Sequence, residues 1–322
     1  MSAPRGRYAP SPTGALHLGA LRTALIAWLC ARSAGGEFVL RIEDLDMPRT
    51  QPGAADKLLD DLRWLGLDWD EGPDVGGPYG PYVQSARGAI YSAALARLRT
   101  AGLLYPCYCT RAERRHAQDE AVASAPHLTG APIPYSGACR ELSVAERRVR
   151  EAAGRSPSWR FRAPQEPVAF FDILHGEARE DVRATLGDII VRRSDGRVAY
   201  NLAVVVDDAL MGVTQVVRGA DLLGVTAVQR ALAIALGYTP PREYAHAPLA
   251  IDALGARLAK RDASAGVGSL RARGVAPERV VGALAASAGL CPAGESTSPR
   301  DLLANFDARR ITLEPSRIVA PA

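Results

Sequence analysis

RGRYAPSPTGALHLGALRTALIAWLC, residues 5 to 30, is the stretch whose reading decides the fold. Arg5 to Ala9 has the make-up of a short strand, and Pro10-Ser11-Pro12-Thr13-Gly14 cannot continue a sheet. A helix follows at once: Leu18, Leu21, Leu25, Trp28 and Leu29 recur at spacings of three and four, and Gly35-Gly36 stops the pattern. EFVLRI (Glu37 to Ile42) is a second apolar strand that runs into the acidic turn Glu43-Asp44-Leu45-Asp46. Strand, helix and strand in so short a span make a βαβ unit, which requires a parallel sheet. A strand that ends in a Pro/Gly turn and opens a helix also aims unpaired N–H groups and the positive end of a helix dipole at one point, a site for phosphate. His17 and Gly19 stand at its mouth.

Working outward, residues 54 to 66 and 85 to 102 carry helical periodicity, and Gly72 to Pro81 is a loop between them. Residues 105 to 141 have little periodicity and hold three of the five cysteines, a composition suited to a small metal-held insert. Residues 158 to 200 read as antiparallel: WRFRA, VAFFDIL, then DIIVRR and RVAY joined by the turn Ser194-Asp195-Gly196. Residues 202 to 219 return to apolar α/β character, 222 to 237 read as a helix, and 263 to 322 as short helices with Gly and Pro breaks.

The 322 residues, 48% hydrophobic and 23% charged, are those of a folded chain of one large or two ordinary domains. No apolar run is long enough to span a bilayer, and residues 1 to 17 lack the apolar segment of a secretory signal, so a cytoplasmic location is expected. A net charge of +4 is mild support for a polyanionic partner. Of the 39 basic residues only Lys57 and Lys260 are lysine, and neither follows a glycine, which excludes a P-loop NTPase. Five unevenly spread cysteines argue against a disulfide framework. Cys107, Cys109 and Cys139 are one ligand short of a closed tetrahedral zinc site. Tyr135, His116, His127 or a water could supply the fourth, chemistry alone favouring a histidine, and reduced cysteines without metal are the alternative. Cys30 and Cys291 read as inert.

RYAPSPTGALHLGA (Arg7 to Ala20) followed by RIEDLD (Arg41 to Asp46) resembles the glutamyl-tRNA synthetase family, the first motif being similar to its variant of the HIGH signature. YNLAVVVDDALMGVTQVVRG (Tyr200 to Gly219) and RLAKR (Arg257 to Arg261), similar to the KMSKS loop, follow in the family's order. The resemblance implies a doubly wound, Rossmann-like α/β catalytic domain over residues 1 to 250, interrupted by an insertion at about 103 to 190 whose zinc-binding part is 105 to 141. Residues 251 to 322 would carry the KMSKS-like loop and a short helical region. Magnesium-bound ATP would lie at His17, Gly19, Leu258 and Lys260, with His17 on the phosphates and Lys260 following the departing pyrophosphate. Arg257 and Ala259 depart from the lysine and serine usual in that loop. Glutamate would be held by Arg7, Ala9, Ser11 and Glu43 on one wall and by Tyr200 and Arg218 on the other. The structural alternative for Arg41, Glu43, Asp44 and Asp46 is a surface ion-pair run.

Only 61 residues follow Arg261, too few for an anticodon-binding domain. That shortness, the Tyr-x-x-x-Cys spacing of Tyr135 and Cys139, Val204 where most relatives carry asparagine, and RGADLL (Arg218 to Leu223) resemble the shortened branch of the family, which places glutamate on queuosine at the wobble position of tRNA(Asp). That resemblance moves the fourth zinc ligand to Tyr135. It implies a monomer that activates L-glutamate without tRNA and takes a queuosine-bearing anticodon loop into its cleft. The alternatives are a minimal glutamyl-tRNA synthetase charging a tRNA 3′ end and a non-catalytic tRNA-binding paralogue.

Overall fold

The computed structural model describes residues 3–110, 112–113, 134–251, 255, 258 and 266–321. Lys260, Arg257, Ala259, Arg261, His116 and His127 lie outside the described residues. The chain begins β1 (Arg5–Tyr8), α1 (Leu18–Ser33), β2 (Glu37–Leu40), α2 (Ala54–Trp64) and α3 (Gly88–Thr100). It continues β3 (Leu104–Cys107), α4 (Val144–Ala152), β4 (Ser158–Phe161), β5 (Val168–Asp172), β6 (Gly176–Glu180), α5 (Val182–Thr185) and β7 (Ile190–Arg192). Then come α6 (Tyr200–Leu210), β8 (Gln215–Gly219), α7 (Thr226–Ala235), β9 (Glu243–Ala247) and β10 (Ala250–Ile251). The C-terminal part holds α8 (Val267–Ala272), α9 (Pro277–Ser287), α10 (Pro299–Leu303) and β11 (Ser316–Arg317).

The expected βαβ unit is present: β1 and β2 pair in parallel, Arg5 opposite Glu37 through Tyr8 opposite Leu40. Strand β8 pairs in parallel with β9, and β9 with β5. The two groups meet where Thr214, just before β8, exchanges hydrogen bonds with Arg5 and where Arg7 Nη1 donates to the Val217 carbonyl at 2.9 Å. The sheet therefore reads β2-β1-β8-β9-β5-β6, with the chain leaving β1 and β8 in opposite lateral directions. A crevice opens at such a switch point, beyond the carboxyl ends of the strands. Helix α1 packs across β1 and β8 and buries Leu21, Leu25 and Leu29 against Val280 and Leu284 of α9. Arg22, also buried on α1, ties the C-terminal region down through Ser316 Oγ at 2.6 Å and the Pro248 carbonyl.

The region between α3 and α6 differs from the antiparallel run expected. Strands β3, β4 and β7 form their own antiparallel sheet, but VAFFD pairs in parallel with β9 at Asp172 and Tyr244 and so belongs to the main sheet. Its apolar make-up suits either sheet, and only the partner decides. GEARE, β6, escapes sequence reading because it is a polar edge strand with no fully buried residue. RVAY is not a strand: Val198 makes one bridge to Arg192, and Tyr200 already opens α6.

Helix α6 ends in two consecutive buried carboxylates, Asp207 and Asp208. Asp207 takes Arg87 Nε at 2.6 Å, Gln84 Nε2 at 2.8 Å and the Tyr91 hydroxyl at 2.8 Å. Asp207→Ala would leave buried Arg87 without its carboxylate, and the expected loss is about 3–5 kcal/mol of unfolding free energy, read from denaturant titration.

Candidate active site

The mouth of α1 is capped by His17, whose Nδ1 accepts the Ala20 N–H at 3.2 Å. An acceptor at Nδ1 puts the ring proton on Nε2, the atom that can donate to a phosphate oxygen. Gly19 has a further reason to be glycine: a Cβ there would stand 2.8 Å from Ala250 Cβ and 3.1 Å from His17 Nδ1. The first turn of α1 thus lies directly on β10, and Leu258 N–H returns to the Ala250 carbonyl at 2.8 Å. Strand β10, which rests on the first turn of α1, therefore leads into the segment of sequence that contains Lys260.

Arg41 is wholly buried, so RIEDLD is not a surface ion-pair run. Its guanidinium meets Asp208 at 2.8 Å, Glu43 at 3.0 Å and Asp207 at 3.6 Å. Burial, then the Asp208 charge, push the Glu43 carboxyl up, while Arg41 and Arg7 oppose the shift. Arg7 is buried as well, with Nε 3.3 Å from Asp208. Against the cost of burial, Arg7 and Arg41 hold the Asp208 carboxyl below its ordinary range. Tyr200, at the start of α6, is partly exposed to the cleft but feels Glu43, Arg218, Arg7 and Asp208 together; loss of solvent around the hydroxyl, then Glu43, raise it so that it stays protonated.

Arg218, at the end of β8, differs from Arg7, Arg41 and Arg87. It is 5% exposed and, among the described residues, no carboxylate lies within ion-pair distance of it. Its neighbours are neutral: Gln229 Oε1 at 2.6 Å, Thr226 Oγ1 at 2.8 Å and His246 Nε2 at 3.1 Å. A buried guanidinium without a counter-ion favours an anion as its ligand. Burial lowers its proton affinity somewhat from the ordinary arginine value, but the group remains a cation.

One cleft of about 940 Å³ runs from Glu43 and Tyr200 to the inserted sheet. Ser11, Glu43 and Tyr200 line one part of it, and Cys107 and Cys109 another. Arg49, Arg155, Arg193 and Arg197 also line it. Cys107 ends β3, Cys139 is fully buried, and the three sulfurs lie within 4.8 Å of one another, with Cys109 and Cys139 Sγ 3.5 Å apart. The Tyr135 hydroxyl completes the group, 3.4 Å from Cys107 Sγ and 3.6 Å from Cys109 Sγ, and accepts the Cys139 N–H at 3.0 Å. Tetrahedral bonds of about 2.3 Å to sulfur and about 2.0 Å to oxygen imply ligand separations of roughly 3.5–3.8 Å, so these four donors fit one metal ion. Gly187 lets Tyr135 in: its φ is +67°, and a Cβ would stand 2.8 Å from the Tyr135 carbonyl oxygen. The Arg160 guanidinium stacks 3.5 Å from the centroid of the Tyr135 ring. Hydrogen bonding within the cluster, first from Cys109, pulls the Cys107 thiol down, while the hydrogen bond to Cys107 pushes Cys109 up and burial with these contacts pushes Tyr135 up, so these three donors share their protons as one group. Burial pushes the Cys30 thiol up to about 12, in keeping with an inert cysteine.

Glu43 and Tyr200 line the cleft, and Arg7 and Arg218 are buried close enough for their charges to act on the Tyr200 hydroxyl, with half-buried Ala9 and exposed Ser11 on the loop after β1. Sequence reading missed Asp208, Gln229, Thr226 and His246, which hold these groups. The pair Asp207-Asp208 in an apolar helix was a visible signal, whereas Thr226, Gln229 and His246 left none. Val204 lies on α6 and is buried in the core.

Residues 4–298 match the family described as tRNA synthetases class I (E and Q), catalytic domain. The chain is 54% identical to the glutamyl-Q tRNA(Asp) synthetase of Symbiobacterium thermophilum over 98% of its own length and 96% of the relative's. It is 49% identical to the protein of that name from Nitratidesulfovibrio vulgaris, over 99% and 96%. Glutamate–tRNA ligase 2 of Syntrophus aciditrophicus is 46% identical over 88% of this chain but only 57% of its own length. The fold superposes on a glutamate tRNA ligase from Elizabethkingia meningosepticum, solved in complex with its amino acid, with TM-score 0.81 and 30% identity over 99% of this chain and 68% of that one.

Cobalt(II) added to metal-free protein should give thiolate charge-transfer absorbance and the d–d bands of a four-coordinate site. Cys139→Ala should abolish both, and Tyr135→Phe should shift the d–d bands. Unaltered bands in Tyr135→Phe would assign the fourth position to another donor.

Proposed function

This chain belongs to the class I (E and Q) tRNA synthetase family, a family of ligase-type enzymes, and we propose that it activates L-glutamate with ATP and transfers it to queuosine at the wobble position of tRNA(Asp). The observation that carries this reading is the single cleft that runs from Glu43 and Tyr200 to the thiol cluster and is lined by arginines. It gives an RNA loop a route to the place where glutamate becomes reactive. Single-stranded loops suit such a cleft because their bases can be splayed out and read at their edges. The names of the two relatives matched almost end to end support the queuosine acceptor.

In the first step the glutamate α-carboxylate oxygen bonds to the α-phosphorus of ATP while the bond to the β-phosphate oxygen breaks, and pyrophosphate leaves with magnesium. The chain's part is positioning and charge stabilisation. Glu43 takes the α-ammonium, Arg218 the side-chain carboxylate, and His17 a phosphate oxygen; Lys260 accompanies the leaving pyrophosphate. Glutamine brings no charge to Arg218, and aspartate is too short to reach it while its ammonium stays at Glu43. In the second step an acceptor hydroxyl of queuosine attacks the activated carbonyl carbon, the bond from that carbon to the phosphate oxygen of AMP breaks, and AMP departs as the hydroxyl proton is released. Cys107, Cys109, Tyr135 and Cys139 would hold a zinc ion, whose part would be to keep the inserted sheet in shape as one wall of the cleft. We assign the enzyme to the cytoplasm, as a monomer. Among the described residues no helix is long and apolar enough to cross a membrane.

Glutamate-dependent exchange of pyrophosphate into ATP should proceed without tRNA, and Lys260→Ala should slow it by roughly 10²-fold, as for a cation that serves mainly the transition state. No exchange by the wild-type protein with magnesium and saturating glutamate would refute activation.

Labelled glutamate should pass to queuosine-bearing tRNA(Asp), and the product should resist periodate treatment of the 3′ ribose. tRNA lacking queuosine should stay unlabelled. Efficient 3′ labelling of unmodified tRNA(Glu) would replace this reading with that of a minimal glutamyl-tRNA synthetase.

A further inference from the structure

We infer that His246, held by Asp172, is a positioning residue for glutamate recognition: its neutral imidazole fixes the Arg218 guanidinium in the pocket without neutralising it. The inference rests on the reading above that Arg218 receives the side-chain carboxylate of glutamate.

The geometry is a chain of directed hydrogen bonds across three neighbouring strands. Asp172 ends β5, His246 lies in β9 and Arg218 in β8, and both Asp172 and His246 are fully buried. Asp172 Oδ1 accepts the Leu174 and His175 N–H groups at 2.9 and 3.0 Å, and Oδ2 faces His246 Nδ1 at 2.5 Å. Burial alone would raise the Asp172 carboxyl, but these donors, His246 foremost, hold it below the ordinary range. An ionised carboxylate can only accept, so the ring proton sits on Nδ1 and Nε2 carries the lone pair. That lone pair faces Arg218 Nε–H at 3.1 Å and Thr226 Oγ1 at 3.0 Å, and the Thr226 hydroxyl itself accepts from Arg218 Nη2, so ring nitrogen and hydroxyl together hold one edge of the guanidinium.

The other donors of Arg218 are claimed from the far side. Nη1 reaches Gln229 Oε1, and Gln229 is itself held by its Nε2 donating to Asn201 Oδ1 at 2.8 Å. Nη2 reaches Thr226 Oγ1 and, at 3.3 Å, the Leu222 carbonyl. A guanidinium has five N–H groups, so these contacts leave one Nη1 N–H for a ligand. Anchored at Nε and at both Nη atoms, the group cannot rotate.

The chemical choice of partner explains why an Asp–His pair is buried here at all. Burying such a pair is costly and adds little stability by itself. A carboxylate placed directly on Arg218 would orient it equally well, but it would supply the counter-ion that the substrate is meant to bring. An imidazole interposed between Asp172 and Arg218 orients the fork and leaves its charge unmet. Arg7 and Arg41, which touch carboxylates directly, show the contrast within the same pocket.

The test is pyrophosphate exchange by the full chain, with KM for glutamate and for ATP measured separately and the active fraction titrated. His246→Leu removes the acceptor, and Asp172→Asn releases the tautomer so that Nε2 can carry the proton toward Arg218. Both should raise the glutamate KM by about 10-fold or more, as a misplaced binding group does, while the ATP KM stays within about 2-fold. His246→Gln, whose Oε1 can accept from Nε, should recover most of the loss, and its comparison with Asp172→Asn carries the test if His246→Leu does not fold. Arg218→Ala separates the two layers of the argument. An unchanged glutamate KM in Arg218→Ala would sink the pocket reading itself. A raised KM there with unchanged values in His246→Leu and Asp172→Asn would overturn the positioning role alone. So would variants that lose thermal stability but keep the glutamate KM, or a His246→Gln as impaired as His246→Leu.

Discussion

Arg41 is a fully buried guanidinium shared among three carboxylates, and the rest of the site depends on that arrangement. Consecutive residues of a helix project about 100° apart, so Asp207 and Asp208 at the end of α6 face different neighbours. Asp207 turns to Arg87, Gln84 and Tyr91 at the base of α3, and Asp208 turns to Arg7 on β1. Arg41 bridges both and also holds Glu43. Moving any one partner would strand a buried charge, which is why β1, the end of β2, α3 and α6 keep one relative placement.

The inserted sheet is tied to this centre through its edge strand. After β7 the chain turns at Ser194-Asp195-Gly196, returns with the Ala199 N–H on the Val191 carbonyl at 2.9 Å, and enters α6 at Tyr200. Strand β7 of the inserted sheet and the first residue of the helix that carries Asp207 and Asp208 are therefore one continuous segment, while the thiol cluster sits at the other edge of that sheet, on β3 and the chain beyond it. A metal that orders Cys107, Cys109, Tyr135 and Cys139 would thus also set the cleft wall leading to Tyr200.

Electrostatics divides the labour among the buried arginines. Arg7, Arg41 and Arg87 have carboxylates in contact and serve as struts. Arg218 is surrounded by an amide, a hydroxyl and an imidazole, so its charge remains for a ligand. The four are the same residue type, and only their partners distinguish a matched charge from an unmatched one.

By itself the sequence determined the elements that are local: the strand, broken turn and helix of residues 5 to 33, the second strand from Glu37, the place of His17 and Gly19, and the cysteine spacing. Those follow from periodicity and from what proline and glycine forbid over a few residues. It also marked Arg7, Glu43, Tyr200 and Arg218 through resemblance, but it could not say which would carry an unmatched charge. Tertiary structure alone decided that VAFFD joins the parallel sheet, that GEARE forms its polar edge, and that Tyr200 begins a helix. It alone brought Asp172 and His246, 74 positions apart, behind Arg218. The physical reason is that strand pairing and buried-charge partnership are long-range choices: an apolar run satisfies either sheet, and an isolated histidine carries no sign of the carboxylate that will fix its proton.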